Sequence, residues 1–410
     1  MMRQMLVALL LGLSACATPS TPRPIAHAAP TDVRAPVTIL VSIDAFRPDY
    51  LYRGDTPNLD ALARGGAQGS MRPSFPTLTF PNHEAMITGM YPDHSGIVAG
   101  EMFDARRPDV RFTNKNQAEA TDPFWWAGAE PLWISAERAG IATGVMFWPG
   151  VEAEHDGKRP GDWARYDANY TGAQRVRTLL DWMRRPAENR PKFGIVYLDI
   201  VDKTAHKQGP TAPATLAAVR EADGWIGALV AGLKSLGQPA NIVVVSDHGM
   251  RDIDPAKSVL LETLLPKQAF RWVQWGPFGA IDALPGHEAE VAAVLLRPNP
   301  LMQCWRKGDV PARFHYGRNA RVAQFICLGV PGAEVVPVPP TNKGDHGYDP
   351  DDPLMSGTII VNGPAFRAGA RAPTKFDNVD VYPLLRHLIG LPPVTAVDGT
   401  ITPLLPLLKD

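Results

Sequence analysis

An excess of charge of either sign is missing from this sequence: 41 lysines and arginines stand against 42 aspartates and glutamates. With no net field, nothing favours a nucleic acid or an anionic membrane surface over other partners, and an anionic ligand must be held by a local site. Cysteine is scarce, three in 410 residues, too few for a disulfide-built scaffold. Neither Cys304 nor Cys327 has a Cys or His neighbour at ligand spacing, which argues against thiolate zinc sites. Long apolar runs are missing too, since the stretch 6–13 is too short to span a bilayer. Internal repeats are absent.

What is present is enough apolar matter for a core, 45% hydrophobic residues with 20% charged. The N-terminus has Arg3, the apolar run 6–13 and then small residues, the layout of a bacterial secretory signal over 1–15. It ends in Leu13-Ser14-Ala15-Cys16, which resembles a lipobox. Cleavage there leaves a lipid-modified Cys16; an ordinary signal with a chance cysteine is the alternative. The Pro-, Ala- and Thr-rich stretch 16–36 reads as a flexible tether. Export puts Cys304 and Cys327 in an oxidising compartment, where a structural disulfide between them is favoured. The localisation expected is periplasmic or anchored at the outer membrane, with Cys16 as the only membrane attachment.

Residues 37–43 form an apolar, β-branched run that stops at Asp44, as a buried parallel strand does. Thr56-Pro57 opens a helix that Gly65-Gly66 closes. Further strands are expected near 142–147, 193–198, 242–245 and 358–361, and helices near 132–139, 176–183, 215–236 and 381–389. That alternation predicts an α/β fold with a mostly parallel central sheet covered by helices on both faces. Between 254 and 340 the rhythm breaks into shorter apolar segments with scattered Pro and Trp. We read this as a small inserted α+β subdomain in a core made of 37–253 and 341–410.

In such sheets ligands bind beyond the carboxyl ends of the strands. Three polar groups sit there: Asp44, Asp199 and Asp202 with His206, and Asp247-His248. Asp202 and His206 stand one helical turn apart. Mixed carboxylate and imidazole donors suit zinc, whereas magnesium prefers more oxygen ligands. His346, in the glycine-flanked Gly344-Asp345-His346-Gly347, adds a further histidine. Thr79 lies at or just before the start of a short helix, about 81–88, stopped by Gly89. Free N–H groups there stabilise an anion, so Thr79 is either a helix cap or a nucleophile.

The segments V-S-I-D-A-F-R-P-D-Y (41–50), T-P-N-L-D-A-L-A (56–63), T-F-P-N-H (79–83), T-G-M-Y-P-D-H-S-G-I-V (88–98), V-V-S-D-H-G-M (244–250) and G-D-H-G-Y-D (344–349) resemble, in order, the nucleotide pyrophosphatase/phosphodiesterases of the alkaline phosphatase superfamily. The resemblance implies two zinc ions, one held by Asp202, His206 and His346, the other by Asp44, Asp247 and His248 with Thr79 as nucleophilic ligand. It implies hydrolysis of phosphodiester or pyrophosphate bonds in nucleotides through a covalent threonine intermediate. Phe80 and Tyr197 match positions where the family stacks a nucleobase. Serine in place of Thr79 would mark alkaline phosphatases, and cysteine sulfatases.

One departure stands out. Gly100 occupies a position where many relatives have an asparagine whose amide binds a non-bridging phosphate oxygen. Loss of one such donor costs about 3 kcal/mol of transition-state stabilisation if nothing replaces it. Gly100 and the lipobox keep a phosphomonoesterase or a lipid-headgroup phosphodiesterase as rivals; a monoesterase needs extra cationic or amide groups, for which no motif gives a clear candidate, although Lys203 and Lys343 lie near predicted ligands. A non-catalytic nucleotide-binding surface lipoprotein is the reading from another class. No stable nucleic-acid partner is expected.

Overall fold

The computed structural model describes residues 34–373 and 376–409, so the leader, Cys16 and most of the tether lie outside the described residues. Val37–Ile43 is buried along its whole length. Successive side chains of a strand point to opposite faces, and here Ile39, Val41 and Ile43 enter one core while Leu40 enters another. Both edges of this strand are satisfied by parallel neighbours, Phe193–Leu198 and Ala240–Val245. The complete sheet has eight strands, in the spatial order Ala370–Arg371, Ala67–Met71, Gly357–Asn362, Ala240–Val245, Val37–Ile43, Phe193–Leu198, Thr143–Met146 and Asp162–Ala164. It is mostly parallel; Gly357–Asn362 alone runs against its two neighbours.

Helices cover both faces. Pro57–Gly65, Gly172–Arg184 and Pro213–Ser235 bury Leu59, Leu179 and Ile226 in the first core. Thr79–Thr88, Leu132–Arg138 and Val381–Leu388 bury Met86, Trp133 and Leu385 in the second. Their ends follow local chemistry. Thr171 and Gln174 exchange side-chain and backbone bonds at the start of Gly172–Arg184, and left-handed Gly89 closes Thr79–Thr88. That last helix begins two residues earlier than the sequence suggests, because Leu78 is the extended residue before it.

The segment 254–340 holds a four-stranded antiparallel sheet in the order Phe270–Gln274, Phe278–Ala283, Phe325–Gly329 and Met302–Arg306. Helix Glu288–Leu295 packs on it through Val291 and Leu295. Cys304 and Cys327 lie opposite each other on paired strands and are joined by a disulfide. The other side of this sheet meets the core segment around Phe75, Ile97 and Val98 through Phe278 and Ile326. This contact brings the sheet to the edge of the site described below.

Glu84, inside helix Thr79–Thr88, is 2% exposed, and its Oε1 has no hydrogen-bond partner. Burial pushes its carboxyl up to about 8. An unfolded glutamate titrates near about 4.3, so the folded state keeps a proton that the unfolded state has lost between these values. The resulting stabilisation is complete below the unfolded pKa and is lost as pH rises through the folded one. Glu84 is therefore expected to contribute to a fall in melting temperature between pH 5 and pH 8, and Glu84→Gln to make that fall shallower. An unchanged pH slope in the variant would show that Glu84 is ionised in the fold.

Candidate active site

The six predicted aspartate and histidine ligands enter just beyond the carboxyl ends of central strands or from a loop pressed against them, and Thr79 opens helix Thr79–Thr88. Asp44 follows Val37–Ile43, and Asp247-His248 follows Ala240–Val245. Phe193–Leu198 leads directly into helix Ile200–Gln208, whose pitch sets Asp202 and His206 one turn apart. His346 comes from a loop pinned by the pairing of Gly344–Asp345 with Arg251–Asp252. A Cβ on Gly344 would stand 2.7 Å from the Ala205 carbonyl, and Gly347 has φ +112°. Only glycines let this loop lie so close to the helix that carries His206.

The seven residues converge in two groups. In the first, His206 Nε2 is 3.3 Å and His346 Nε2 3.6 Å from Asp202 Oδ1, and the two nitrogens are 3.1 Å apart. In the second, His248 Nε2 lies 3.0 Å from Asp247 Oδ2 and 3.6 Å from Asp44 Oδ1. The rings of His248 and His346 stack at 3.7 Å, which joins the groups. Thr79 Oγ1 is 3.3 Å from His248 Nε2.

Backbone carbonyls set the orientation of all three histidines. Nδ1 of His206 faces Gly344 O at 3.0 Å, Nδ1 of His248 faces Gly249 O at 2.9 Å, and Nδ1 of His346 faces Thr77 O at 2.8 Å. A carbonyl only accepts, so each Nδ1 carries a hydrogen and each Nε2 lone pair is turned inward. Opposite them, Asp44 Oδ1, Asp202 Oδ1 and Asp247 Oδ2 are buried and accept no hydrogen bond. Imidazole nitrogens and carboxylate oxygens thus face one another, and this donor set fits divalent metal ions.

The electrostatics of these side chains carry the same demand for positive charge. Burial, reinforced by Asp247 and Asp202, raises the Asp44 carboxyl well above the usual range. Burial opposes ionisation of Asp202 as well, but His206, His346 and His248 outweigh it and hold the group near about 2. Burial depresses His206, yet Asp202 more than offsets this and holds the imidazole up at about 10. His346 is pulled down to about 4 by burial and by its two neighbouring histidines.

Three contributors carried no assigned role on sequence grounds. His83, one turn after Thr79, donates through Nδ1 to Thr79 O at 2.9 Å with Asp247 Oδ2 at 3.3 Å, and its Nε2 meets Ser42 Oγ at 2.8 Å. Its spacing from Thr79 was the available signal. Asp345 joins His206 and His346 in a third possible ligand group. Ala45 adopts φ +56°, a conformation unusual for a residue with a side chain, and its N–H donates to Asp247 Oδ1 at 3.3 Å.

Two cavities flank Thr79. One, of about 270 Å³, is lined by Thr79, Phe80, Gly100, Lys115, Gln274 and His346. The other, of about 560 Å³, is lined by Thr79, Phe80, Phe147, Tyr166, Tyr197 and Lys203. Phe80 is half-buried between them. Tyr197, at the wall of the larger cavity, is 8% exposed, its ring meets His83 edge-on, and its hydroxyl donates to Asp44 Oδ2 at 2.5 Å. Tyr166, which lines the same cavity, is 38% exposed.

A family model described as type I phosphodiesterase / nucleotide pyrophosphatase matches residues 38–349. The chain belongs to this family. It is therefore a phosphoric diester hydrolase of the nucleotide pyrophosphatase/phosphodiesterase kind. An uncharacterized pyrophosphatase/phosphodiesterase of Schizosaccharomyces pombe is 32% identical, over 93% of this chain and 82% of the relative. The bis(5'-adenosyl)-triphosphatase of Mus musculus is 33% identical over 88% of this chain and 79% of its own. Among solved structures, an inactive Thr-to-Ala variant of murine ectonucleotide pyrophosphatase/phosphodiesterase 5, in complex with AMP, superposes with a TM-score of 0.87. It is 29% identical, covering 92% of this chain and 100% of that one.

Because the Tyr197 hydroxyl restrains Asp44 from behind, Tyr197→Phe is expected to lower metal affinity by about 10-fold or more. Activity measured against increasing metal in a buffered chelator is the check; an unshifted curve would leave the hydroxyl without a part in holding Asp44.

Proposed function

We propose that this enzyme hydrolyses phosphodiester and pyrophosphate bonds in nucleotides, with Thr79 as nucleophile and two zinc ions. Asp202, His206 and His346 would hold one ion, and Asp44, Asp247 and His248 the other. The observation that carries this reading is the convergence of imidazole nitrogens and buried carboxylate oxygens beside Thr79. Zinc, when bound, supplies positive charge that favours the ionised hydroxyl and offsets charge developing at phosphorus.

The remaining work falls to the chain. Helix Thr79–Thr88 points its N-terminal N–H groups toward the reacting phosphate, and Pro81 removes a donor that would otherwise compete inside its first turn. His83 fixes the backbone of Thr79. Thr79 Oγ1 forms a bond to phosphorus as the bond to the leaving-group oxygen breaks, giving a nucleotidyl-threonine. Water then cleaves that ester, releasing a nucleoside monophosphate and restoring the hydroxyl. Phe80 and Tyr166, lining the larger cavity beside Thr79, are suited to the faces of a base. The AMP complex of the murine relative supports a nucleotide in such a pocket.

A phosphomonoester brings an additional negative charge, which calls for a free cation near Thr79. Lys203 does not supply it, since its ammonium is held by Asp199 at 2.8 Å and Tyr166 at 2.7 Å. Lys115, which lines both cavities and has Glu101 Oε1 at 3.9 Å, is the other cation there, so the monoester assay below decides between the two substrate classes. The leader with its lipobox supports export and anchoring through Cys16, and a disulfide between Cys304 and Cys327 is in keeping with an oxidising compartment.

Thr79→Ala is expected to lower kcat/KM for the p-nitrophenyl ester of thymidine monophosphate by at least about 1000-fold while retaining zinc. Parental turnover in zinc-loaded Thr79→Ala would overturn the covalent route. Chelation is expected to abolish activity and zinc to restore it; turnover that survives exhaustive chelation would remove metal from the reaction. Assays with p-nitrophenyl phosphate and a phosphocholine ester alongside distinguish the nucleotide reading from its two rivals.

A further inference from the structure

Gly100 lines the smaller cavity beside Thr79 and can offer a phosphate only its backbone N–H. The space a side chain at 100 would enter is already occupied. A Cβ built there would stand 3.3 Å from Gln274 Oε1. Gln274 comes from a distant part of the chain, at the end of strand Phe270–Gln274. The pairing of that strand with Phe278–Ala283 slips between Trp272 and Gln274. Such a slip re-aims the side chain that follows it. Here the side chain lines the cavity that also holds Thr79, Asp202, His206 and His346.

The carboxamide is not satisfied by the protein alone. Nε2 donates to Trp275 O at 3.2 Å, leaving one of its two hydrogens unassigned, and Oε1 is buried with no hydrogen-bond partner. A buried polar atom left in this condition calls for an explanation. The last torsion of glutamine is broad and two-fold, so rotation about it can bring an N–H toward the cavity. A terminal carboxamide with a spare hydrogen, at the wall of a cavity that contains the nucleophile, is a donor awaiting an oxygen.

We propose that Gln274 donates a hydrogen bond to a non-bridging oxygen of the reacting phosphoryl group, a contact that residue 100 cannot make with a side chain. The donor is neutral and single, which suits a diester carrying one negative charge. The proposal rests on the phosphodiesterase reading above. Gln274 and a side chain at 100 compete for one space, so they are alternatives, and this makes the assignment testable by exchange.

The experiment compares the wild-type enzyme with Gln274→Ala, Gln274→Glu and the double variant Gly100→Asn/Gln274→Ala. All are assayed zinc-loaded on the p-nitrophenyl ester of thymidine monophosphate, with melting temperatures alongside. Gln274→Ala is expected to lose about 100-fold in kcat/KM, chiefly in kcat, the effect of removing one preorganised donor. Gln274→Glu, which keeps the shape but sets a carboxylate against the phosphate, is expected to lose at least as much. The double variant is expected to recover 10-fold or more over Gln274→Ala, a rescue that a packing role would not give. Were Gln274→Ala unstable, Gln274→Glu and the double variant would still decide. Gln274→Ala or Gln274→Glu within threefold of wild type, or no rescue in the double variant, would overturn the proposal. A wild-type enzyme inert on the diester would instead overturn the reading it rests on.

Discussion

Asp44, Asp202 and Asp247 are carboxylates taken out of water and pointed toward three imidazole nitrogens that cannot all supply protons. This is the constraint on which the rest of the structure depends. Burying one uncompensated carboxylate is costly, and each nearby like charge adds to the cost. Among the side chains themselves the conflict is divided unevenly: Asp44 is pushed toward its neutral form, Asp202 is held ionised, and His206 is driven toward its cation. Such an arrangement is unfavourable as packing and favourable as a receptor for positive charge. The fold therefore has to hold the side chains apart from their most comfortable partners.

It does so with backbone. Carbonyls of Gly249, Gly344 and Thr77 fix the three histidine tautomers, the Ala45 N–H occupies one oxygen of Asp247, and the Tyr197 hydroxyl occupies one oxygen of Asp44. Each restraint satisfies the atom that faces away and leaves the inward atom bare. These restraints are fixed by strands buried on both faces, since Val37–Ile43, Phe193–Leu198 and Ala240–Val245 are adjacent in the sheet and end on the same side. The rigidity of the parallel block is transferred to the ligands within one or two residues of each strand end.

That proximity is also why so much could be read from the sequence. Val37–Ile43 and Phe193–Leu198 announce themselves as unbroken apolar runs, and the polar residues that follow them mark the sheet edge where ligands gather. Ala67–Met71 escaped because its sequence, AQGSM, carries no alternation or apolar run; it is a strand because Gly357–Asn362 pairs with it. The opposed direction of Gly357–Asn362 was equally hidden, as an apolar strand looks the same either way. At the site, Asp44, Asp202, His206, Asp247, His248 and His346 were legible as residue types at strand ends. The uses of His83 and Tyr197 were not, because each depends on which atom of an aspartate its polar tip reaches. The exposure of Tyr166 depends on the path of a loop, which no periodicity encodes.

The cavity walls obey a different logic from the ligands. Asp44 and Asp247 have almost no freedom to move, being anchored in the sheet and fully enclosed. The wall around Gly100, by contrast, is completed by a strand end from the segment 254–340, where a one-residue slip in pairing decides which side chain faces Thr79. The disulfide between Cys304 and Cys327 ties two other strands of that same sheet, so its edge strand can vary while its frame holds. A change there alters the wall of the cavity beside Thr79 without disturbing the buried carboxylates and imidazoles. Chemistry resides in the part of the molecule that cannot tolerate change, and selectivity in a part built to accept it. The loss of a side chain at 100 is then no defect of the catalytic core, because the neighbouring sheet edge already fills the space it left.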